Sequence, residues 1–157
     1  MSAFVSFFVP GEPKTAGSKR AFMPRGWSRP IIVDDCKKGK DWRGDVKRFA
    51  AEAFDGEALL DGPLNVSLTF TMRRPKHHYR SNGQLKENAP ALHTSKPDVL
   101  KMARAVEDAL TGVIWKDDSQ IAVECLTKRY GEKPGCQVTI TAIGVAVLEQ
   151  PKEAVAL

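Results

Sequence analysis

The segment from residue 96 to residue 120 constrains the fold most, because it places acids at both ends of one predicted helix. Asp98 precedes apolar residues at helical spacing, a Thr-Gly pair ends that spacing, and Asp117 and Asp118 follow an aromatic residue. One helix of about a dozen residues between these acids allows the chain to fold them against each other. Mg²⁺ takes oxygen ligands and binds through one or two carboxylates plus substrate phosphates. In a chain of net charge +5, the pattern predicts a metal-dependent enzyme that acts on a polyanion.

Each of these acids also has a structural explanation. Ser95-Lys-Pro-Asp98 fits a capping pattern in which a hydroxyl is followed three residues later by an acid, with proline in the first turn. Asp117 and Asp118 also fit a polar turn that leads into a strand. From the residues alone, both the cap and the metal ligand stay open.

Length and composition indicate one folded domain. We expect this domain over residues 1–146 and a flexible tail over residues 147–157. No apolar run approaches the roughly 20 residues that cross a bilayer, and no basic region precedes the apolar start, so we expect a cytoplasmic protein without a membrane segment. Cys36, Cys125 and Cys136 are odd in number and lack metal-site spacing, which favours buried free thiols over a disulfide or a zinc site.

The positive charge is concentrated in two stretches, residues 14–48 and residues 73–80. Basic clusters are typical of nucleic-acid binding, although a solvated surface is the common alternative. The aromatic residues Trp27, Trp42 and Tyr79 are interleaved with the basic ones and favour nucleic acid.

Apolar spacing predicts the main elements along the chain. They are a strand at 4–9, a loop or irregular hairpin at 11–30, a short strand at 31–33, a helix at 40–54, a strand at 65–72, a long polar loop at 73–95, a helix at 97–110, and a β-hairpin built from strands near 121–125 and 138–140.

The acidic segment and its flanks resemble the RusA-type Holliday junction resolvases of phages and prophages. The matching residues are Lys96-Pro97-Asp98, Ala105-Val106, Asp108-Ala109-Leu110, Trp115 to Ile121, Lys128 to Gly131, Arg74-Pro75-Lys76, His93 and the Phe-x-Val-Pro-Gly start. The resemblance implies an α+β fold with a small mixed sheet and two main helices packed on it. It also implies a homodimer that cuts four-way DNA junctions with Mg²⁺, with Asp98 and Asp118 as catalytic aspartates.

The chain departs from the usual pattern of this family at three positions. Leu100 stands where the family has a second aspartate, and Arg104 stands where it has a catalytic lysine. Glu107 replaces a residue that is usually apolar in the family, and it lies about 10 Å from Leu100 along the same helix flank. Either Glu107 is a relocated metal ligand, or it is a surface acid that pairs with Arg104 in a decayed site.

The expected site residues fall into three groups. Asp98, Asp118, Glu107 and Arg104 are the expected catalytic residues. Asp98, Asp118, Glu107 and Asp117 are the expected Mg²⁺ ligands. The residues that we expect to contact branched DNA are Lys14, Lys19, Arg20, Arg73, Arg74, Lys76, His93 and Lys96. A catalytically impaired branched-DNA-binding protein of the same fold, or a nuclease for other branched or flap DNA, stays open as an alternative.

Overall fold

The computed structural model describes residues 3–16, 19–34, 37–55 and 58–144, with the backbone alone for 19–22, 32–34 and 37–40. The expected tail at 147–157 and Cys36 lie outside these residues. The described strands and helices are β1 (Phe4–Pro10), β2 (Lys19–Phe22), β3 (Ile31–Asp34), α1 (Lys37–Ala53), β4 (Leu64–Arg73), α2 (Val99–Leu110), β5 (Ile121–Gly131) and β6 (Gly135–Ala142), with short 3₁₀ turns at Lys76–His78 and Asp118–Gln120.

Four strands form one mixed sheet in the order β1-β6-β4-β5. β6 is antiparallel to both β1 and β4, whereas β4 and β5 are parallel. β2 and β3 form a separate antiparallel pair. A small mixed sheet with two main helices is the α+β fold that the resemblance implied, and that prediction is confirmed.

The predicted β-hairpin near residues 121–140 is wrong in its pairing, although both strands exist. β5 and β6 are joined by three residues, yet β4 lies between them and pairs with each. β4 is buried along most of its length, whereas β5 is exposed at residues 122–125. β4 is the more apolar of the two strands, and it gains more from a place inside the sheet, where neighbouring strands flank it on both sides. The more polar β5 takes the edge of the sheet.

The core lies between one face of the sheet and the two helices. Apolar side chains of three adjacent strands form a row across this face, for example Phe7, Val138 and Leu68. Helical spacing also places Trp42 in the core, where it is 4% exposed. The expectation that Trp42 contributes to a nucleic-acid surface is therefore wrong, because its ring packs inside the protein.

Several smaller expectations have mixed outcomes. Cys136 is a buried free thiol as predicted, but Cys125 is free and exposed because it lies on the edge strand. The polar loop at 73–95 contains a 3₁₀ turn, and its end runs along β5 through hydrogen bonds from His93 N to Lys128 O at 3.0 Å and from Tyr130 N to Ala91 O at 2.9 Å. In the described part of the chain, no helix is long and apolar enough to cross a membrane.

Candidate metal and nucleic-acid site

Asp98 is the residue that caps the N-terminus of α2. Its Oδ1 accepts a hydrogen bond from the backbone N–H of Leu100 at 3.1 Å, and the side chain is exposed. The helix begins at Val99, so Asp98 itself is the cap, and the capping role expected for Ser95 is wrong. Because the cap bond uses Oδ1 of this exposed side chain, its second oxygen is able to serve another ligand.

Lys128 holds the backbone that presents Asp98. From β5, its Nζ donates to the carbonyl oxygen of Ser95 at 2.6 Å and to that of Pro97 at 2.7 Å. In the parallel register Lys128 is paired with the buried Phe70, so its stem points toward the helix side of the sheet. Sequence reasoning did not assign Lys128 to the site. A lone lysine on the core-facing side of a strand, in phase with Leu126, was the available signal.

Asp118 lies at the opposite end of α2. Its Oδ1 accepts from the indole N–H of Trp115 at 3.0 Å and from the hydroxyl of Thr111, which is the C-terminal cap of the helix. Gly112 follows this cap at φ 79°, a conformation that L side chains rarely adopt, so the predicted Thr-Gly break ends the helix here. Trp115 is fully buried, so it fixes Asp118 relative to the core.

The two catalytic aspartates of the resemblance are therefore far apart within one chain. α2 has 12 residues between its caps, which is about 18 Å of helix. Two ligands of one Mg²⁺ must lie within about 4 Å of each other, because each is near 2.1 Å from the ion. The expectation that these acids fold against each other in a single chain is wrong, because the straight helix between them keeps them apart.

Glu107 lies close to Asp118 and to Glu124 of β5. Burial raises the pKa of Glu107 to about 8, and a hydrogen bond with Glu124 and the charges of Glu124 and Asp118 act in the same direction, whereas Arg104 opposes them. Glu107 therefore faces the carboxylates and not open solvent. Glu124 was missed by sequence reasoning. Glu124 alternates with Ala122 and Leu126 on the helix-facing side of β5, and this alternation was the available sequence signal.

Arg104 and Asp117 have other partners in this structure. Arg104 Nε is 3.7 Å from Asp108 Oδ1, and both side chains are exposed. The alternative of a decayed site predicted an ion pair between Arg104 and Glu107, but Arg104 pairs with the next residue instead. Asp117 caps the turn at Asp118–Gln120, and hydrogen bonds from Ser119 hold the pKa of its carboxyl below the ordinary value. Across the described residues, no group of three or more His, Cys, Asp or Glu side chains is placed to hold a metal ion.

A basic groove lies at the N-terminal end of α2, beside Asp98. Two cavities of 660 Å³ and 470 Å³ adjoin, because Thr15, Lys96 and Pro97 line both. The charged and ionisable lining residues are Asp98, Lys101 and Lys128 in the larger cavity, Lys96 in both, and Glu12, Lys14, Arg73 and His93 in the smaller one. Four of the residues expected to contact DNA thus meet in one groove.

Of the remaining residues expected to contact DNA, Arg74 and Lys76 line neither cavity. Arg74 donates to the carbonyl oxygen of Pro90 at 2.8 Å and lies over the ring of Tyr130, so it orders the loop. Lys76 is exposed in the 3₁₀ turn and does not line either cavity. The side chains of Lys19 and Arg20 lie outside the described part of the structure.

Two further groove residues, Glu12 and His93, bear on how much positive charge the groove carries. Glu12, which sequence reasoning missed, pairs with Lys14 at 3.5 Å and with Arg73 at 3.6 Å. Burial and the charge of Lys128 lower the pKa of His93, whose Nδ1 is buried without a hydrogen-bond partner. His93 is therefore neutral at pH 7, and the charge that attracts a polyanion comes from the lysines and Arg73.

Fold and site together define a class: a small α+β protein with a basic groove that ends at an exposed carboxylate, suited to phosphodiester chemistry. The chain belongs to the RusA family, because the family model of endodeoxyribonuclease RusA matches residues 10–141. A protein of Bacillus subtilis (strain 168) described as uncharacterized protein YqaN is 32% identical over 143 residues, covering 88% of this chain and 96% of that protein. Family membership confirms the resemblance and indicates an enzyme that cuts DNA internally.

Proposed function

We propose that this protein is a Mg²⁺-dependent endonuclease that resolves four-way DNA junctions as a homodimer, with each metal site shared between two copies. The observation that carries the proposal is the placement of Asp98 and Asp118 at opposite ends of α2, too far apart to share a cation. When two copies pack with their α2 helices antiparallel, Asp98 of one copy faces Asp118 of the other. A two-fold axis then produces two equivalent sites, one for each of two opposed DNA strands.

The donor chemistry of this shared site suits Mg²⁺. Asp98 contributes a carboxylate oxygen that the helix cap does not use, and the second copy contributes Asp118 with Glu107 beside it. Glu107 thereby supplies the acid that Leu100 lacks, from the other chain. Asp117 is the weaker candidate ligand, because its carboxylate already caps a turn. Bound Mg²⁺ supplies Lewis-acid chemistry: it lowers the pKa of a water and offsets charge on the attacked phosphate.

The chain's own residues bind and orient the DNA in this proposal. Lys14, Arg73 and Lys96 hold phosphates along the groove, which gives affinity with little sequence information. Lys128 keeps the backbone before Asp98 in place. Arg104, which is 71% exposed on the same helix flank as Glu107, stabilises negative charge on the phosphate as cutting proceeds. A cytoplasmic place of action is part of the proposal.

Mixed dimers test the shared site. A dimer of one Asp98→Asn copy and one Asp118→Asn copy, purified with two different tags, has one site without either aspartate and one intact site. We expect it to nick a synthetic four-way junction in the presence of Mg²⁺, whereas the two homodimeric variants do not cut. An inactive mixed dimer would show that the sites are not shared. A wild-type protein that never cuts would refute the nuclease itself.

A branched-DNA-binding protein without nuclease activity is the second candidate. Leu100, which is 64% exposed at a position where the family usually carries an aspartate, is the observation that favours it. This candidate predicts that the wild-type protein binds a four-way junction without cutting it in Mg²⁺, and that Leu100→Asp creates cutting activity. Both outcomes are read on one denaturing gel.

A further inference from the structure

The hairpin of β2 and β3 lies outside the main sheet. It pairs through Lys19 with Asp34 and through Phe22 with Ile31, and it forms no ladder with the main sheet. Among the described side chains of residues 23–31, none belongs to the hydrophobic core or packs against it. The described side chains at the tip of the hairpin, residues 23–31, are therefore not held in place by burial, and the tip is available to a partner.

A tight turn shapes the tip. The backbone N–H of Trp27 donates to the carbonyl oxygen of Pro24 at 3.1 Å, and Gly26 lies inside the turn at φ 90°. Such a turn requires a residue that tolerates positive φ at this place, and glycine does so without strain. The turn presents Trp27, which is 62% exposed, and Met23, which is 54% exposed.

The chemistry of the tip fits a nucleic-acid base. Residues 23–31 read Met-Pro-Arg-Gly-Trp-Ser-Arg-Pro-Ile, with no acid among them, and both Arg25 and Arg29 are exposed. An aromatic face stacks on bases, and guanidinium groups beside it neutralise the adjacent phosphates.

We infer that this hairpin is a wedge whose Trp27 stacks on a base at the branch point of the DNA, with Arg25 and Arg29 on the flanking phosphates. The inference rests on the proposed function, because it concerns how the same DNA is held. Apolar side chains that insert between base steps must unstack them, which costs a few kcal/mol in an intact duplex. The cost is lower at a branch, where base pairs end without a continuous stack on one side. The wedge therefore favours branched over linear DNA.

Tryptophan fluorescence tests this directly. Of the three tryptophans, Trp42 and Trp115 are buried, so acrylamide quenching reports mainly Trp27. We expect a four-way junction to protect Trp27 from acrylamide strongly, and a linear duplex of the same length to protect it weakly. Trp27→Ala should weaken junction binding about tenfold, while Trp27→Phe should stay within about threefold of wild type. Phe4→Ala, which removes an aromatic of similar exposure (64%), serves as the matched control and should leave binding unchanged.

Salt dependence separates stacking from charge. Trp27→Ala should leave the slope of log affinity against log salt unchanged, whereas Arg25→Ala should flatten it by about one unit, because one phosphate contact is lost. The inference is overturned if the protein binds the junction while Trp27 stays as accessible as in free protein. It is also overturned if Trp27 becomes protected in DNA-free protein as concentration rises, since a second copy would then be its partner. Failure of the wild type to bind any junction refutes the proposed function instead.

Discussion

The two ends of α2 differ in charge and in how their acids are held. At the N-terminal end, Asp98 is exposed, and the groove beside it is lined by Lys96, Lys101 and Lys128. At the C-terminal end, Asp118 is hydrogen-bonded to a buried indole, with Glu107 close by. The basic lining suits a phosphate, and the acids at the other end are the proposed cation ligands. Because neither end combines both features, we propose the antiparallel pairing of two helices that brings them together.

The largest expected effect comes from removing the acid at either end. Asp98→Asn and Asp118→Asn should each lower junction cutting by at least about 1000-fold, more than the 10–100-fold loss typical of residues that only support a metal ligand. Binding should be retained or tightened, because one negative charge near the DNA is lost. Cleavage on a denaturing gel and binding on a native gel measure the two effects. A variant that cuts at nearly the wild-type rate would exclude its aspartate as a metal ligand.

The C-terminal end of α2, the acidic end, can be tested separately through Glu107. Glu107→Gln should lower cutting by roughly 100-fold, because the acid missing at position 100 is then missing altogether. Leu100→Asp in the same chain should restore activity only in part, since that carboxylate joins the site from the other copy. Glu87→Gln, which changes an exposed acid of the 73–95 loop, is the control and should cut normally. Full restoration by Leu100→Asp would indicate that Glu107 is not a ligand.

Much of the fold followed from sequence because it depends on local spacing. The amphipathic α2, its Thr-Gly end and the alternation in β4 are each encoded within about a dozen residues. Strand pairing did not follow, because the short connection between β5 and β6 suggested a hairpin, whereas the burial of β4 decides the order. The prediction that Asp98 and Asp118 lie against each other in one chain was wrong for a similar reason. The spacing fixed the helix between them, but a straight helix separates its ends.

Contacts between segments that are distant in the sequence were the other feature that could not be predicted. Glu124 lies outside the matching stretches and Lys128 begins one of them, but the contacts of both depend on which helix lies over β5. Glu12 precedes the first basic cluster, and only the fold brings it to Arg73. The family resemblance predicts which acids are catalytic, but it does not predict the side chains that position them or neutralise their surroundings.

Lys128 supports the backbone at the N-terminal end of α2, and a substitution at Lys128 tests that support. Lys128→Met should lower cutting by about 10–100-fold and raise the Mg²⁺ concentration needed for half-maximal rate, because the backbone before Asp98 loses two hydrogen bonds. Lys101→Met removes a lysine that lines the same cavity and serves as the control for charge alone. Melting temperatures verify that both variants fold. Equal losses in the two variants would mean that Lys128 acts only by its charge.

The groove at that end should account for the salt dependence of binding. Replacing Arg73 and Lys96 together with alanine should reduce the salt slope by about two units, whereas Lys47→Ala with Lys86→Ala, which removes two exposed lysines outside the groove, should not. Glu12→Gln should tighten binding, because Lys14 and Arg73 lose the acid that neutralises them. An unchanged slope in the groove variant would place the DNA surface elsewhere.

The smallest effect concerns stability at the acidic end. The pKa of Glu107 is about 8 in the folded protein, against an ordinary value of 4.5. Between these values the folded state binds more protons than the unfolded state, so the free energy of unfolding falls as pH rises from 4.5 to 8. Glu107 is partly exposed, so solvent screening limits this contribution to the order of 1 kcal/mol, or about 3 °C in melting temperature. In metal-free protein, Glu107→Gln should remove this part of the fall in the free energy of unfolding, which calorimetry from pH 5 to pH 8 measures. Glu87→Gln, which changes an exposed loop acid, should melt in parallel with wild type. If Glu107→Gln also follows the wild-type curve, Glu107 ionises normally and the acidic end is open to water.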